Sequence, residues 1–353
     1  MSTLASRYLG LDLAHPVIAA ASPLTATLDG MRRLEDARAA AVVTASLYEE
    51  DIRAADDAYA TFTEESAGSH PEAANYFPEL PEYRYAVSGH LDMVRRAAEA
   101  LDIPVIASLN GISDAGWLDF AFELEQAGAA ALELNLHVLP TDFAVNGSEI
   151  ENRYLDVIRH VRSKVKIPVA VKLPPFFTAP GNFLKHVEAA GADGVVLFSQ
   201  FFRPDFDIET LNNTGRLSLS SPADLYLPLT WTALLSGHVN MSLAAGTGVD
   251  SYVEVVKLLL AGADVVATAS ALLRHGPERM TALVVGLERW LQENGIASVS
   301  EVRGCLDARH SNHPNKFLRT HYRHTLSEYT MLYPALRSGA SARGCEVLPP
   351  VLA

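Results

Sequence analysis

Cysteine is nearly absent from this chain, with two residues, Cys305 and Cys345, among 353. Two thiols cannot build a disulfide scaffold or a four-thiolate iron–sulfur site, so a reducing, cytoplasmic setting is expected. Positive charge is short as well: 28 Lys and Arg stand against 42 Asp and Glu, a formal net charge of −14. A surface that neutralises nucleic-acid phosphates is therefore disfavoured. Long apolar runs are missing. The most apolar stretch, Leu258–Leu273, spans 16 residues and contains Gly262 and Asp264, too short and too polar to cross a bilayer. The N-terminal MSTLASRYLGLDLAHP lacks the apolar centre of a signal peptide. Neither a nucleic-acid nor a membrane partner is expected. There is no His/Asp/Glu cluster at metal-ligand spacing and no Gly-x-Ser-x-Gly elbow, so neither a metal nor a serine nucleophile is expected.

What the chain does have is a hidden repeat. Apolar-Pro-Val followed by an apolar run occurs in HPVIAAAS, IPVIASLN and IPVAVKLP, and Ala-Gly-Ala followed by an apolar run occurs in AGAAALELN, AGADGVVLFS and AGADVVATAS. Pro104 and Pro168 are 64 residues apart, Gly128 and Gly191 are 63, and Gly191 and Gly262 are 71. The two kinds alternate, which gives units of 32 to 36 residues. In each Ala-Gly-Ala a helix is expected to end with Gly in the left-handed conformation. A strand covered on both faces follows, because the apolar run shows no polar alternation. Strands are predicted at 17–21, 41–45, 104–108, 130–135, 168–172, 194–199, 239–244 and 264–268. Helical stripes lie between them. One runs from Ile150 through Tyr154, Val157, Ile158 and Val161 to Val165 after a Ser148/Glu151 capping box, and another comprises Val253, Val256, Leu259 and Leu260. Ser221-Pro222 reads as a helix start.

Eight such units predict an α/β fold, a (βα)8 TIM barrel over residues 1–300. The rival is a doubly wound open sheet, but AASPLTATLDG after the first strand lacks its Gly-x-Gly-x-x-Gly turn. Two long segments interrupt the period, 49–88 after strand two and 200–223 after strand six, both at the end where barrels build their sites. Residues 301–335 read as a locally basic C-terminal helical extension carrying Leu318, Tyr322, Leu326, Tyr329 and Tyr333, and 336–353 as a flexible tail.

The strand C-termini present Ser22, Ser46, Asn110, Asn135, Lys172, Ser199 with Gln200, Gly246-Thr247-Gly248, and Thr268 with Ala269 and Ser270. The set is polar with a single cation. Gly246-Thr247-Gly248 allows backbone amides to approach an anion, and the loops after strands seven and eight are where barrels commonly hold phosphate. Lys172 is one of six lysines and ends an apolar strand. A buried ammonium needs a partner. It suits either stabilisation of negative charge on a cofactor or Schiff-base formation. Asn110 and Asn135 can orient a planar heterocycle, or can serve as loop caps. Neutral amides, one lysine and a phosphate cradle suit flavin mononucleotide (FMN) better than a sugar-phosphate aldolase.

From YLGLDLAHPVIAAAS to about residue 295 the sequence resembles the dihydroorotate dehydrogenase family of flavin barrels. ALELN resembles the family's strand-four ending, with Asn135 as the flavin-facing asparagine. VAVKLPP resembles strand five and puts Lys172 beside the flavin's pyrimidine edge. LSLSSPADLYLPLTWTAL resembles the segment after strand six. AAGTGVDSYVEVVKLLLAGADVVATASALL resembles the phosphate-binding end, with Ala269 and Ser270 where Gly and Thr are usual. The start resembles a short N-terminal hairpin leading into strand one. The resemblance implies FMN, hydride transfer between a small dihydroorotate-like CH–CH donor and flavin N5, the soluble branch of the family and a homodimer. It also implies departures. Val138 stands at the family's catalytic base, Ala45 precedes Ser46 where a strand-two lysine is usual, and the asparagine loop is not recognisable in SAGSHPEAANYF. Ser199 and Gln200 occupy the substrate side, where an asparagine is usual. His137 is the titratable group nearest the missing base and is read as catalytic with Lys172; Tyr48, His70 and Tyr76 are weaker candidates. Two other functions stay open, an FMN-carrying electron-transfer subunit with a redox partner protein and no orotate chemistry, and an aldolase using Lys172.

Overall fold

The computed structural model describes residues 3–53, 82–111, 119–199, 203–216, 218–311, 317 and 322–327. The chain divides into two compact units, Met1–Asp307 and Ala308–Ala353. In the second unit, residues 322–327 are helical. Tyr329, Tyr333 and the segment 336–353 lie outside the described residues.

The first unit is the barrel. Strands β3 (Val17–Ala19), β4 (Val42–Val43), β6 (Val105–Asn110), β7 (Ala131–Asn135), β8 (Val169–Leu173), β9 (Gly194–Leu197), β12 (Ser242–Ala245) and β13 (Val265–Thr268) pair in parallel around a closed ring. Closure is made by β13 on β3, β3 on β4 and β4 on β6. A short β5 (Leu47–Tyr48) extends the second position and also pairs with β6. This is the eight-stranded α/β TIM barrel, and the ring leaves no free edge for a doubly wound sheet. The repeat's glycines behave as the Ala-Gly-Ala pattern requires: Gly128, Gly191 and Gly262 have φ of +97°, +103° and +115°, and a strand begins within three residues of each.

Several local expectations shift. The helix Gly147–Lys164 is capped by Asn146, whose Oδ1 accepts from Glu149 N at 3.0 Å, so Ser148 lies inside the first turn and is not its cap. In the helix Tyr252–Ala261 the buried residues include Val255, Val256, Leu258 and Leu259, while Val253 is exposed. Strand β12 begins at Ser242, three residues later than expected. The long segment after β9 contains an antiparallel hairpin, β10 (Arg203–Asp207) with β11 (Asn212–Arg216). The helix Glu82–Ala100 starts inside the region read as an insertion; residues 54–81, with His70 and Tyr76, lie outside the described residues.

Two apolar layers separate strands from helices. In one, Leu132, Leu134, Val171 and Val195 pack on Tyr154, Ile158, Val161 and Phe183. In the other, Val17, Val42 and Val266 pack on Met31, Leu34, Leu258 and Leu287. A third cluster fills the barrel itself. It includes Ile18, Ile106 and Val265, but on three neighbouring strands the inward residues are small, Ala131, Ala170 and Gly194, and leave room. Into that space comes the N-terminal hairpin, β1 (Ser6–Tyr8) and β2 (Leu11–Leu13), whose two-residue turn has Leu9 at φ +52° and Gly10 at +78°. Leu9 N donates to Ser242 Oγ at 3.1 Å, and Ser6 Oγ donates to Asp264 O at 2.7 Å. Tyr8 and Leu9, both buried, thus close the end of the barrel where the strands begin. The opposite end is left for the site.

Candidate functional site

Register brings the strand ends into one row. Tyr48 pairs with Asn110, Asn110 with Asn135, Asn135 with Lys172, and Lys172 with Val196. Partners in a parallel ladder share a face, so these five side chains form a tier at the barrel mouth. Above it is a cavity of about 250 Å³. Ser22, Asn135, Lys172, Ser199, Gly246, Thr247, Ala269 and Ser270 line it, together with Tyr48, Phe198, Leu219 and Ser220. Ser46, Asn110, Gly248 and His137 are not among the residues lining it. Gln200 lies outside the described residues.

Lys172 has the partner that its burial demands. Its Nζ lies 3.3 Å from Glu133 Oε1, with the lysine side chain 15% exposed and the glutamate 4%. Glu133 was not read as a site residue from the sequence, although a carboxylate in the apolar run ALELN is the same signal that singled out Lys172. On β7 it is two residues below Asn135, one tier deeper in the barrel. Its charge is felt at the floor: burial, then the negative charges of Glu133 and Asp264, push the Tyr8 phenol well above its ordinary value.

Among the described residues, three buried polar atoms of the lining have no protein partner: Ser22 Oγ, Asn135 Oδ1 and Ser199 Oγ. Buried polar groups are otherwise almost always hydrogen-bonded, so three around one cavity mark where a polar ligand fits. Turning the Asn135 amide over would exchange oxygen for NH2 and still leave a hydrogen-bonding group there.

At the phosphate side the backbone is bent tightly. Thr247 has φ +68°, with its Oγ1 donating to Phe198 O at 3.0 Å, and Gly248 has φ +81°. A Cβ on Gly246 would come within 2.9 Å of Ala267 O, and one on Gly248 within 2.5 Å of Leu225 N. Gly248 N already donates to Ser220 Oγ at 3.0 Å, and Ser220 N and Oγ both donate to Ser270 Oγ, at 3.0 and 2.9 Å. Gly248 therefore makes room, while Ser220 and Ser270, one of them unforeseen, form the hydroxyl pair at the surface of the cradle. The small side chains and the orphaned atoms fit a flavin phosphate and ring in chemistry.

The expected position of the family's base is apolar in surroundings as well as in identity. Val138 packs against the core between β7 and its helices, and its N–H donates to Tyr154 Oη at 2.9 Å. Burial raises the Tyr154 phenol to about 12. His137 is half-buried, and burial lowers its pKa. Ser46 Oγ is 2.7 Å from Ser108 Oγ, a contact below the mouth. Among the described residues no group of three or more His, Cys, Asp or Glu could hold a metal, and no helix is long and apolar enough to cross a membrane.

No protein-family model matches the chain. A putative dihydroorotate dehydrogenase A (fumarate) of Aeropyrum pernix is 31% identical over 222 residues, covering 60% of this chain and 70% of that protein. The chain belongs to the dihydroorotate dehydrogenase family. Catalytic subunits of dihydroorotate dehydrogenase B (NAD(+)) from Desulforamulus reducens and Bacillus cereus are each 28% identical over 214 residues, covering 58% of this chain and 69% and 68% of theirs. Membership makes the protein a dihydroorotate dehydrogenase-family oxidoreductase.

Proposed function

We propose that the protein is an FMN-dependent oxidoreductase acting on a small CH–CH substrate. The observation that carries the reading is the set of orphaned atoms, Ser22 Oγ, Asn135 Oδ1 and Ser199 Oγ, around a cavity that also receives Lys172. Gly246, Thr247, Ala269 and Ser270 would hold the phosphate, and Gly248 and Ser220 would support them. Asn135 and Ser22 would hydrogen-bond the ring system, and Asn110 and Ser46 would hold the tier beside them. FMN, when bound, would accept or donate the hydride at its N5. Lys172 contributes the positive charge that favours electron density beside it. Phe198, Leu219, Val249 and Leu273 keep water from the reacting face.

Two groups suit the proton step. His137 adjoins the position expected for the base, and its imidazole, with a pKa lowered by burial, offers a ring nitrogen that can take up a proton. Tyr48 Oη belongs to a residue of the lining itself and can hand one over. Ser199 and Gln200 would contact the substrate. The loss of the base and of the strand-two lysine favours a substrate other than dihydroorotate itself. Anaerobic mixing with dihydroorotate decides the matter. An unchanged visible flavin spectrum is expected, and bleaching would restore dihydroorotate as substrate.

A second reading has support of its own. An apolar Val138, partly buried against the core, argues for a flavin-carrying subunit reduced by a partner protein, and relatives named as catalytic subunits are consistent with one. Indifference of substrate turnover to both His137→Gln and Tyr48→Phe would favour it. The aldolase reading is disfavoured, since an ammonium paired with a buried carboxylate is a poor nucleophile. A homodimer and a cytoplasmic setting complete the proposal.

A further inference from the structure

We infer that Glu133 is a positioning residue: it holds the Lys172 ammonium charged and directed at the cavity, and so tunes the site between the oxidised and reduced forms of its flavin. The first half stands on the ion pair alone; the second rests on the FMN reading above.

The pair is built into the barrel wall. Glu133 and Lys172 sit on adjacent strands, with Glu133 opposite Ala170 and Lys172 opposite Asn135, so the carboxylate lies beneath the ammonium. Its side chain is 4% exposed. Below it the hairpin closes the floor with Tyr8, itself buried, and the Tyr8 phenol senses the Glu133 charge. Away from water such charges are weakly screened, so the carboxylate at 3.3 Å offsets a real fraction of the field that Lys172 projects into the cavity. A reduced flavin carries more negative charge than an oxidised one. A bare ammonium would favour the reduced form strongly, and the carboxylate moderates that preference.

The test has two arms on the full-length protein. In flavin-free protein, trace acetylation of Lys172 at neutral pH is read by mass spectrometry. Glu133→Gln should speed labelling by about tenfold, the effect of losing the charge-assisted hydrogen bond that occupies the amine. Glu133→Asp keeps a buried charge at shorter reach, guards against misfolding, and should fall between. In the second arm, FMN dissociation constants are measured for oxidised and dithionite-reduced flavin. Glu133→Gln should move their ratio about tenfold toward the reduced form, equivalent to about 30 mV for a two-electron couple. Lys172→Met should move it the other way. Equal labelling in all three proteins, or a ratio that stays put in Glu133→Gln, overturns the inference. If the native protein binds no FMN, the proposed function falls and the labelling arm alone decides the role of Glu133.

Discussion

Replacing Gly248 by alanine tests how the phosphate side of the cavity is built. At φ +81° a residue with a Cβ is strained by about 1–2 kcal/mol. Space adds a second cost. The new carbon would lie 2.5 Å from Leu225 N, 2.8 Å from Ser221 O and 2.9 Å from Leu225 Cα. All three are backbone atoms at the start of a helical segment, so relief requires moving the chain, at a further cost of about 1–3 kcal/mol. Gly10 provides the control. Its φ of +78° is nearly the same, but a Cβ there meets nothing within 4 Å. Gly10→Ala should therefore cost the strain alone. Thermal unfolding of the flavin-free proteins reads the difference. At roughly 2 °C per kcal/mol for a chain of this size, Gly248→Ala should melt about 2–6 °C below Gly10→Ala. Gly248→Ala should also displace Ser220, whose Oγ accepts from Gly248 N, and so weaken FMN binding, while Gly10→Ala at the far end of the barrel should not. Equal melting temperatures for the two variants would refute the claim that close backbone approach, not dihedral preference, requires glycine at 248.

Two other perturbations follow from the same geometry. Val17 N donates to His15 Nδ1 at 3.2 Å and His15 Nε2 donates to Arg38 O at 2.6 Å, so the ring is neutral in the folded state, and burial lowers it to about 4. An unfolded histidine titrates near 6.5, so this stabilisation is complete above pH 6.5 and is lost as pH falls through about 4, by roughly 3 kcal/mol in all. Urea unfolding from pH 7 to 4 should show a shallower loss in His15→Gln, and identical slopes would contradict it. Asn135→Leu removes an oxygen with no protein partner, so stability of the flavin-free protein should change by less than about 1 kcal/mol, while FMN affinity should fall about 10- to 100-fold by titration. A large loss of stability with affinity retained would show Asn135 to be a structural residue.

The barrel was legible because its signals are local. Ala-Gly-Ala reports a helix end and the start of a strand within a few residues, and three copies with φ near +100° confirm the pattern. The tier of Tyr48, Asn110, Asn135 and Lys172 was partly legible, since strand ends can be found from apolar runs. Their lateral register cannot, because it is set by closure of the whole ring. Glu133 is not legible from the strand ends alone, because the interior of a barrel extends two residues deeper than the final residue of each strand. Ser220 carried no signal beyond a serine-rich run. The hairpin β10–β11 gives little strand signal because RPDFDIETLNNTGR has little two-residue alternation and carries a proline at its second position. Asn146 outcompeted Ser148 as a cap through its Oδ1 contact to Glu149 N, a choice between neighbouring polar residues that spacing alone does not settle.

The account turns on whether a flavin occupies the mouth of this barrel. Absorbance and fluorescence of the purified protein, with reconstitution against added FMN, address it directly. The expected result is a yellow protein, or a flavin-free one that quenches FMN fluorescence at one equivalent per chain, with Lys172→Met binding more weakly. A colourless protein that leaves saturating FMN unquenched would contradict it.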